Sequence, residues 1–86
     1  MILITGCAGF IGFHLSKKLL SKNVKVLGID CLDNYYPRFH KNRRLKILKK
    51  NRKFKFMKLD LKQFDTLKKK LNNLKIDYII HLAAQP

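Results

Sequence analysis

Residues 1–12 of the chain read MILITGCAGFIG, an apolar run followed at once by a glycine-rich turn. The unbroken run from Met1 to Ile4 is typical of a β-strand that is buried on both faces of a parallel sheet. From Phe10 onward the spacing changes, because apolar side chains then recur at every fourth position, as on one stripe of an amphipathic helix. The segment therefore predicts a strand, a tight glycine turn and a helix in direct succession.

The rest of the chain continues this alternation. Short apolar runs predict three further strands, which end at Asp30, Asp60 and Leu82. A weak helix over 38–50 and a clearly amphipathic helix that starts near Phe64 connect them. The order β-α-β-α-β-α-β predicts an α/β fold: a partial Rossmann fold with a parallel sheet and helices on both faces.

Composition limits the class of protein. The 86 residues carry 20 lysines and arginines against 5 acidic residues, a formal net charge of +15 at pH 7. Hydrophobic residues make up 47%, which excludes a disordered polycation, because such a chain lacks core-forming side chains. The longest apolar runs are far too short to span a bilayer, and no charged segment precedes an apolar core as in a secretory signal. We therefore expect a folded domain with no membrane partner.

The positive charge has two interpretations, a polyanion-binding surface or solvated basic faces. All five acids are Asp, and Lys and Asn are abundant, as a low-GC coding bias would produce. The lysines also cluster where helix surfaces are predicted, so we interpret them as solvated and expect no nucleic-acid partner. A basic nucleic-acid-binding module is the alternative. The two cysteines lack CxxC spacing, which predicts no metal site, no disulfide framework and a cytoplasmic location.

The chemistry of the first motif lies in its three glycines. Gly6 would permit the tight turn from strand to helix, and Gly9 would let backbone N–H groups approach a pyrophosphate closely. Gly12 would let the helix pack closely against the sheet. The phosphates would then meet the N–H groups and the positive dipole end of the helix. Because the motif lies between a predicted strand and a predicted helix, it indicates a dinucleotide site rather than a plain glycine turn.

Asp30 supplies the second element of such a site. It ends the second predicted strand, 18 residues after Gly12, where its carboxylate could accept hydrogen bonds from both hydroxyls of an adenosine ribose. Its negative charge would repel a 2′-phosphate, which favours NAD over NADP. The basic cluster that begins at Arg38 argues in the other direction, because a nearby arginine can hold that phosphate. A simple turn-forming aspartate at a strand end is the alternative.

Two further candidate segments follow the third and fourth predicted strands, at the edge where ligands bind in open α/β sheets. Asp60 could accept a hydrogen bond from the amine of an adenine ring, with Leu61 beside the ring. Asp60 could equally cap the helix that follows, with Gln63 at the capping-box position, and the two roles are compatible. Residues 81–85, HLAAQ, place small side chains just past a strand, where a flat cofactor could lie against the backbone.

Together these motifs resemble the extended short-chain dehydrogenase/reductase superfamily, the nucleotide-sugar epimerases and dehydratases. The resemblance rests on TGCAGFIG (5–12), Asp30, Asp60–Leu61 and HLAAQP (81–86). Within that superfamily, GIDCLDNYY (28–36) and the basic helix after it are most similar to the UDP-glucuronate 4-epimerases, whose stretch typically reads GIDNLNDYY. The resemblance covers 1–86 and implies the amino-terminal part of an NAD-binding Rossmann domain, in a family of proteins several times longer.

The resemblance implies NAD as the cofactor and assigns roles to the matching residues. Residues along the pyrophosphate would be Gly6, Gly9, Phe10, Ile11 and Gly12. The ribose would be bound by Asp30, the adenine by Asp60 and Leu61, and the inner half of the cofactor by Leu82, Ala83 and Ala84. The chain departs from the family at Cys31, where asparagine is common, and at Asp33–Asn34, where the usual order is reversed.

The chain lacks the catalytic residues of that superfamily. Its members use a Tyr-x-x-x-Lys pair, whose tyrosine acts as general base toward a sugar hydroxyl. None of Tyr35, Tyr36 and Tyr78 is followed four residues later by lysine. The resemblance therefore implies an NAD-binding segment that lacks the catalytic and sugar-binding regions and is inactive alone. The intact enzyme would bind a nucleotide sugar, oxidise it reversibly at C4 and could form a homodimer.

Other interpretations stay open at this point. The intact protein could be another nucleotide-sugar enzyme such as a 4,6-dehydratase, or the chain could be a non-catalytic dinucleotide-binding sensor, complete as it stands. The three histidines, His14, His40 and His81, are interpreted as structural or solvated, because none has a nucleophile partner. Cys7 precedes a predicted helix, whose N-terminus could lower the pKa of the thiol, but a small loop residue is the favoured interpretation.

Overall fold

The computed structural model describes residues 1–31, 38–59 and 64–82. Within these ranges, strands and helices alternate along the chain. The elements are β1 Ile2–Thr5, α1 Phe10–Ser21, β2 Val26–Asp30, α2 Arg38–Leu48, β3 Phe54–Lys58, α3 Phe64–Leu71 and β4 Tyr78–His81. None of the helices in the described ranges is long and apolar enough to cross a membrane. The predicted order of elements is confirmed.

The strands form one parallel, four-stranded sheet in the order β3-β2-β1-β4. β1 pairs with both β2 and β4, so Thr5, Ile29 and His81 lie side by side at the carboxyl ends of the strands. The chain moves outward from β1 to β3 and then returns to the other side of β1, which places a topological switch point between β1 and β4. Ligands of open α/β sheets bind outside the carboxyl ends at such a point.

Helices cover both faces of this sheet, as predicted. On one face the buried core of strand and helix residues consists of Ile4, Val26, Phe54, Phe13, Leu20, Leu45 and Leu48. On the other face the core is Leu3, Leu27, Ile29 and Leu59, against which Leu71 of α3 and Leu74 pack. Adjacent residues of β1 and β2 therefore point into different cores, which explains why both strands have unbroken apolar sequences.

The apolar pattern predicts that the second strand starts at Val24, but the end of α1 moves that start. Asn23 has a φ of 69°, and its N–H group donates to the Leu20 carbonyl at 3.0 Å. The N–H group of Val24 donates to the Leu19 carbonyl at 3.1 Å, which completes a Schellman cap. Val24 therefore belongs to the helix cap, and β2 begins at Val26.

The elements after β2 are shorter than their sequence patterns, which run over 38–50 for α2, to Asp60 for β3, to Leu74 for α3 and over 76–82 for β4. α2 ends at Leu48. β3 ends at Lys58, and β4 spans only Tyr78–His81. α3 ends at Leu71, because the N–H group of Leu74 donates to the Leu71 carbonyl at 2.9 Å in the turn that follows. Leu74 still packs against the sheet, so the apolar pattern reports burial correctly and the end of the helix incorrectly.

Candidate functional site

The glycine-rich loop between β1 and α1 lies at the carboxyl edge of the sheet. Gly6 has a φ of 73°, a left-handed backbone conformation that glycine adopts at little cost. The N–H groups of Gly6 and Cys7 donate to the Ile29 carbonyl at 2.7 and 3.3 Å, which fastens the loop to the end of β2. The N–H group of Gly9 donates back to the Gly6 carbonyl at 3.1 Å. Gly6 therefore makes the tight strand-to-helix turn that its position predicts.

Gly12 lies in the first turn of α1, directly against this loop. A Cβ atom at Gly12 would lie 2.1 Å from the carbonyl oxygen of Gly6 and 2.9 Å from the Cα atom of Cys7. Both are backbone atoms, which cannot rotate away as a flexible side chain can. The predicted close approach is present, but it is made to the loop that follows β1 rather than to a strand of the sheet.

The first turn of α1 offers backbone donors to an anion. Gly9 is the N-cap residue, and its carbonyl accepts the N–H group of Phe13 at 2.9 Å. The N–H groups of the residues between Gly9 and Phe13 have no carbonyl partner within the helix. Among the described residues no side chain caps this end, and its first turn contains no acid. A helix N-terminus of this kind is suited to bind a phosphate through N–H groups and the helix dipole.

Asp30 joins this loop to the rest of the sheet edge. One carboxylate oxygen accepts the N–H group of Ala8 at 3.0 Å, and the other accepts a hydrogen bond from Nζ of Lys41 at 3.2 Å. Only 3% of the Asp30 side chain and 10% of the Lys41 side chain are exposed. Asp30 is thus a buried carboxylate that binds the loop and pairs with a buried ammonium. These contacts go beyond the alternative interpretation of Asp30 as a simple turn-forming residue.

Helix α2 contributes two cations to the same loop. Lys41 contacts Asp30, and Nη1 of Arg44, one turn further along the helix, donates to the Ala8 carbonyl at 3.1 Å. The Arg44 guanidinium also lies over the ring of Phe10, with its central carbon 6.0 Å from the ring centre. Neither residue is among the candidates predicted from the sequence. Their spacing of three, which puts both on one side of a helix, was the available signal.

The end of β4 is held against the end of β1. The N–H group of Leu82 donates to the Thr5 carbonyl at 3.1 Å and to the Thr5 hydroxyl at 3.0 Å. The same hydroxyl is hydrogen-bonded to Nδ1 of His81 at 2.8 Å. The side chain of Leu82 is half-buried and packs against the core on the α1 and α2 side. His81 therefore has a structural contact, as interpreted from the sequence, and Leu82 lies beside the end of β1.

The structure brings most of the described candidate residues to one edge. The loop and first-turn residues Gly6, Gly9, Phe10, Ile11 and Gly12 lie with Asp30 beyond β1 and β2, and Phe10 and Ile11 are 60% and 66% exposed. Four other candidates lie outside the described residues: Asp60, Leu61, Ala83 and Ala84. Residues 32–37, which include the Asp33–Tyr36 stretch of the resemblance, and Gln85 are likewise outside them.

Cys7 is buried, and its environment disfavours the thiolate. Burial, together with the nearby negative charge of Asp30, raises the pKa of the Cys7 thiol to about 12. The idea that the helix N-terminus lowers this pKa is wrong, because loss of hydration outweighs the dipole at a fully buried sulfur. The Cys7 sulfur lies where a Cβ on Gly28 would come within 2.7 Å, so Cys7 fills the space beneath the loop.

We expect the two cysteines to differ in reactivity with thiol reagents. At pH 8, iodoacetamide should modify the half-buried Cys31 and leave Cys7 intact in the folded chain, because alkylation needs an accessible thiolate. In urea both should react. Mass spectrometry after proteolysis distinguishes the two sites, and rapid native alkylation of Cys7 would contradict the burial described here.

Comparisons with known proteins identify similar chains. Residues 3–86 match the family described as GDP-mannose 4,6 dehydratase. The UDP-glucuronate 4-epimerase of Thermodesulfobacterium geofontis is 42% identical over 83 residues, which are 96% of this chain and 26% of that protein. A protein of Methanocaldococcus jannaschii described only as uncharacterized protein MJ1055 is 50% identical over 86 residues, 98% of this chain and 26% of its own length.

Solved structures of similar proteins share the fold. The crystal structure of UDP-glucuronic acid 4-epimerase from Bacillus cereus in complex with NAD has a TM-score of 0.84 and 41% identity, and the match covers 99% of this chain and 27% of that one. The same enzyme in complex with UDP-glucuronic acid and NAD matches with a TM-score of 0.84 and the same identity, over 99% of this chain and 26% of that one. The chain thus spans about a quarter of the length of the proteins it matches.

Proposed function

Because the chain belongs to the GDP-mannose 4,6 dehydratase family, we propose that it is the NAD-binding segment of a nucleotide-sugar 4-epimerase of the UDP-glucuronate type. The observation that carries the proposal is the edge formed by the glycine-rich loop, the first turn of α1 and Asp30. Backbone N–H groups and a positive dipole end suit a pyrophosphate, and a carboxylate at the end of β2 suits a ribose. The 41% identity to an epimerase whose structure contains NAD supports the choice of cofactor.

In this proposal the first turn of α1 and Asp30 each bind a different part of the cofactor. The amides of Phe10, Ile11 and Gly12 would donate to the pyrophosphate, and the absence of a side chain at Gly12 lets α1 begin close against the loop. Asp30 would accept hydrogen bonds from the adenosine ribose. Each of its two carboxylate oxygens has two lone pairs, so each can accept more than one hydrogen bond.

The remaining candidates complete the site in this proposal. Asp60 and Leu61 would contact the adenine, and Leu82, Ala83 and Ala84 would lie along the inner half of the cofactor. When bound, NAD would supply hydride acceptance from C4 of the sugar and return of the hydride to the opposite face. This chain's own residues hold and orient the adenosine and pyrophosphate part. We therefore propose that residues 1–86 alone do not convert UDP-glucuronate, because they contain no Tyr-x-x-x-Lys pair.

We expect the chain to bind the adenosine half of NAD and to discriminate against the nicotinamide half. In saturation-transfer NMR, ADP-ribose should bind with an affinity close to that of NAD, while nicotinamide mononucleotide should give no signal. The reason is that the loop, α1 and Asp30 all belong to the adenosine and pyrophosphate side of the crevice. Preferential binding of nicotinamide mononucleotide would contradict the proposal.

Binding and turnover measurements distinguish this proposal from the main alternatives. A dinucleotide sensor that is complete in these residues would bind NAD tightly, in the micromolar range, and far better than ADP-ribose. A nucleic-acid-binding module would ignore NAD and bind duplex DNA or RNA with an affinity that falls steeply as salt is raised. For the intact protein, turnover of UDP-glucuronate against GDP-mannose or dTDP-glucose distinguishes the epimerase from a 4,6-dehydratase.

A further inference from the structure

We propose that the outer edge of β3 binds an extended, acidic segment of a partner protein, which adds to the sheet as one more strand. The proposal goes beyond cofactor binding, because it concerns the side of β3 that faces away from β2 and the glycine-rich loop. In such strand addition, backbone hydrogen bonds supply affinity, and the side chains on either face of the new strand supply specificity.

The outer side of β3 presents backbone groups that the sheet does not use. β3 is the outermost strand and pairs with β2 alone. The carbonyl of Lys53 and the N–H group of Leu59 both bond to β2, at 3.0 and 3.1 Å. Because the residues of a strand point alternately to its two neighbours, the N–H and C=O groups of Phe56 and Lys58 point away from β2. No strand in the described part of the chain pairs with them.

A groove lies beside this edge, on the face of the sheet that α3 covers. Its volume is about 620 Å³, and the apolar side chains of Leu27, Met57 and Leu74 line it together with the lysines Lys55 and Lys70. Both lysines are exposed, whereas Met57 and Leu74 are half-buried. Side chains of a strand alternate between the faces of a sheet, so every second side chain of an added strand would point to the side of this groove.

The charge of the edge favours an acidic partner and disfavours a second copy of the chain. Residues 52–58 read RKFKFMK, and the whole stretch 38–59 contains no Asp or Glu. Arg52, Lys55 and Lys58 are exposed. Two copies paired through β3 would bring lysines together, and like charges directly opposite each other on adjacent strands are destabilising. Aspartates or glutamates on the added strand would instead form favourable cross-strand pairs with these lysines.

Both faces of the edge combine lysine with an apolar side chain. On the α3 face, Lys55 is followed by Met57 along the strand. On the other face the half-buried ring of Phe56 packs against the core, with Nζ of Lys49 5.2 Å from the ring centre. We therefore expect the partner segment to alternate acids with β-branched residues such as valine, which favour strands. A run of acids alone would not provide the apolar contacts.

A short peptide of alternating glutamate and valine, blocked at both ends, tests the proposal. Fluorescence anisotropy measures its affinity for the chain at low ionic strength, and NMR measures hydrogen exchange at single amides. At a peptide concentration about tenfold above the Kd, exchange at the N–H groups of Phe56 and Lys58 should slow by about tenfold, because it proceeds only from the free chain. The same peptide with N-methylated amides, and a peptide of alternating lysine and valine, should not bind.

Two matched pairs of substitutions separate charge from backbone pairing. Lys55→Glu should weaken peptide binding by about fivefold or more, whereas Lys18→Glu, the same change at an exposed lysine of α1, should alter it by less than about twofold. Lys58→Pro removes an outward N–H group and should weaken binding more than Lys58→Ala, which removes only the side-chain charge. Circular dichroism checks folding, and the N-methylated peptide tests the backbone pairing if Lys58→Pro does not fold.

The outcomes that contradict the inference are distinct. Absence of binding by the glutamate–valine peptide would overturn it. Binding without slower exchange at Phe56 and Lys58, or equal effects of Lys55→Glu and Lys18→Glu, would overturn it as well, because each would indicate general charge attraction. Slow exchange at these amides in a dimer of the chain without peptide would assign the edge to a second copy instead. None of these results bears on NAD binding, so the proposed function is tested separately.

Discussion

Gly12→Ala is expected to destabilise the chain by about 3 kcal/mol or more and to abolish NAD binding. The added methyl group would lie 2.1 Å from the Gly6 carbonyl oxygen and 2.9 Å from the Cys7 Cα atom, distances that no rotamer change can relieve. Relief requires α1 to move away from the loop, which opens the buried space beneath it. Because small domains have only about 5–15 kcal/mol of stability, a loss of this size is a large fraction of the total. Urea unfolding followed by circular dichroism measures it.

Gly9→Ala is the matched control for this prediction. A Cβ atom at Gly9 would lie 3.3 Å from the same Gly6 oxygen, and the φ of −71° at Gly9 is compatible with alanine. We expect this variant to remain folded with a loss of about 1 kcal/mol or less. Equal stability of the Gly12→Ala variant and the unmodified chain would show that α1 does not approach the loop as described.

Asp30→Ala is expected to destabilise the chain by about 3–5 kcal/mol, the cost of removing one partner from a buried ion pair. The substitution leaves the ammonium of Lys41, whose side chain is 10% exposed, without its carboxylate, and it leaves the N–H group of Ala8 without its acceptor. The loop should then lose its attachment to β2 on this side, and NAD binding should fall with it. Thermal and urea unfolding measure the loss of stability.

A double-mutant cycle separates the ion pair from the attachment of the loop. Asp30→Ala combined with Lys41→Met should be more stable than Asp30→Ala alone, because the unpaired buried charge is gone. The exposed carboxylate of Asp77, which lies 2.6 Å from the amino-terminal ammonium, provides the control. Asp77→Ala should change stability little, since exposed ion pairs contribute little. Equal losses in Asp30→Ala and Asp77→Ala would contradict the assignment of a buried, structural ion pair at Asp30.

The fold was largely predictable because its central strands are buried on both faces. The apolar runs that contain Ile4 and Leu27 mark β1 and β2 directly, and the stripe through Leu71 and Leu74 marks the segment that covers the second face. The ends of elements were less predictable. Val24 is apolar and continues the strand pattern, yet its N–H group caps α1, because backbone hydrogen bonds rather than hydrophobicity end a helix.

The site was predictable only in part, for a different physical reason. Gly6 can adopt its left-handed conformation and Gly12 its close contact because glycine has no side chain. The position of a glycine can be seen directly in the sequence. The pairing of Lys41 with Asp30 could not be predicted, because Lys41 is one of many lysines in the chain and lies in a weakly amphipathic helix. Its burial arises only when α2 packs beside the loop, a contact between residues 11 positions apart that no local pattern encodes.

We propose that the N-terminus of α1 and the end of β2 bind the adenosine and pyrophosphate part of NAD. It is tested most directly by recording the ¹⁵N–¹H spectrum of the chain during titration with NAD. We expect chemical-shift changes concentrated at the amides of Phe10, Ile11 and Gly12 and at Asp30, with an affinity weaker than micromolar. Spectra unchanged at these amides at millimolar NAD, or changes confined to the exposed basic residues of α2, Arg43 and Lys46, would contradict it.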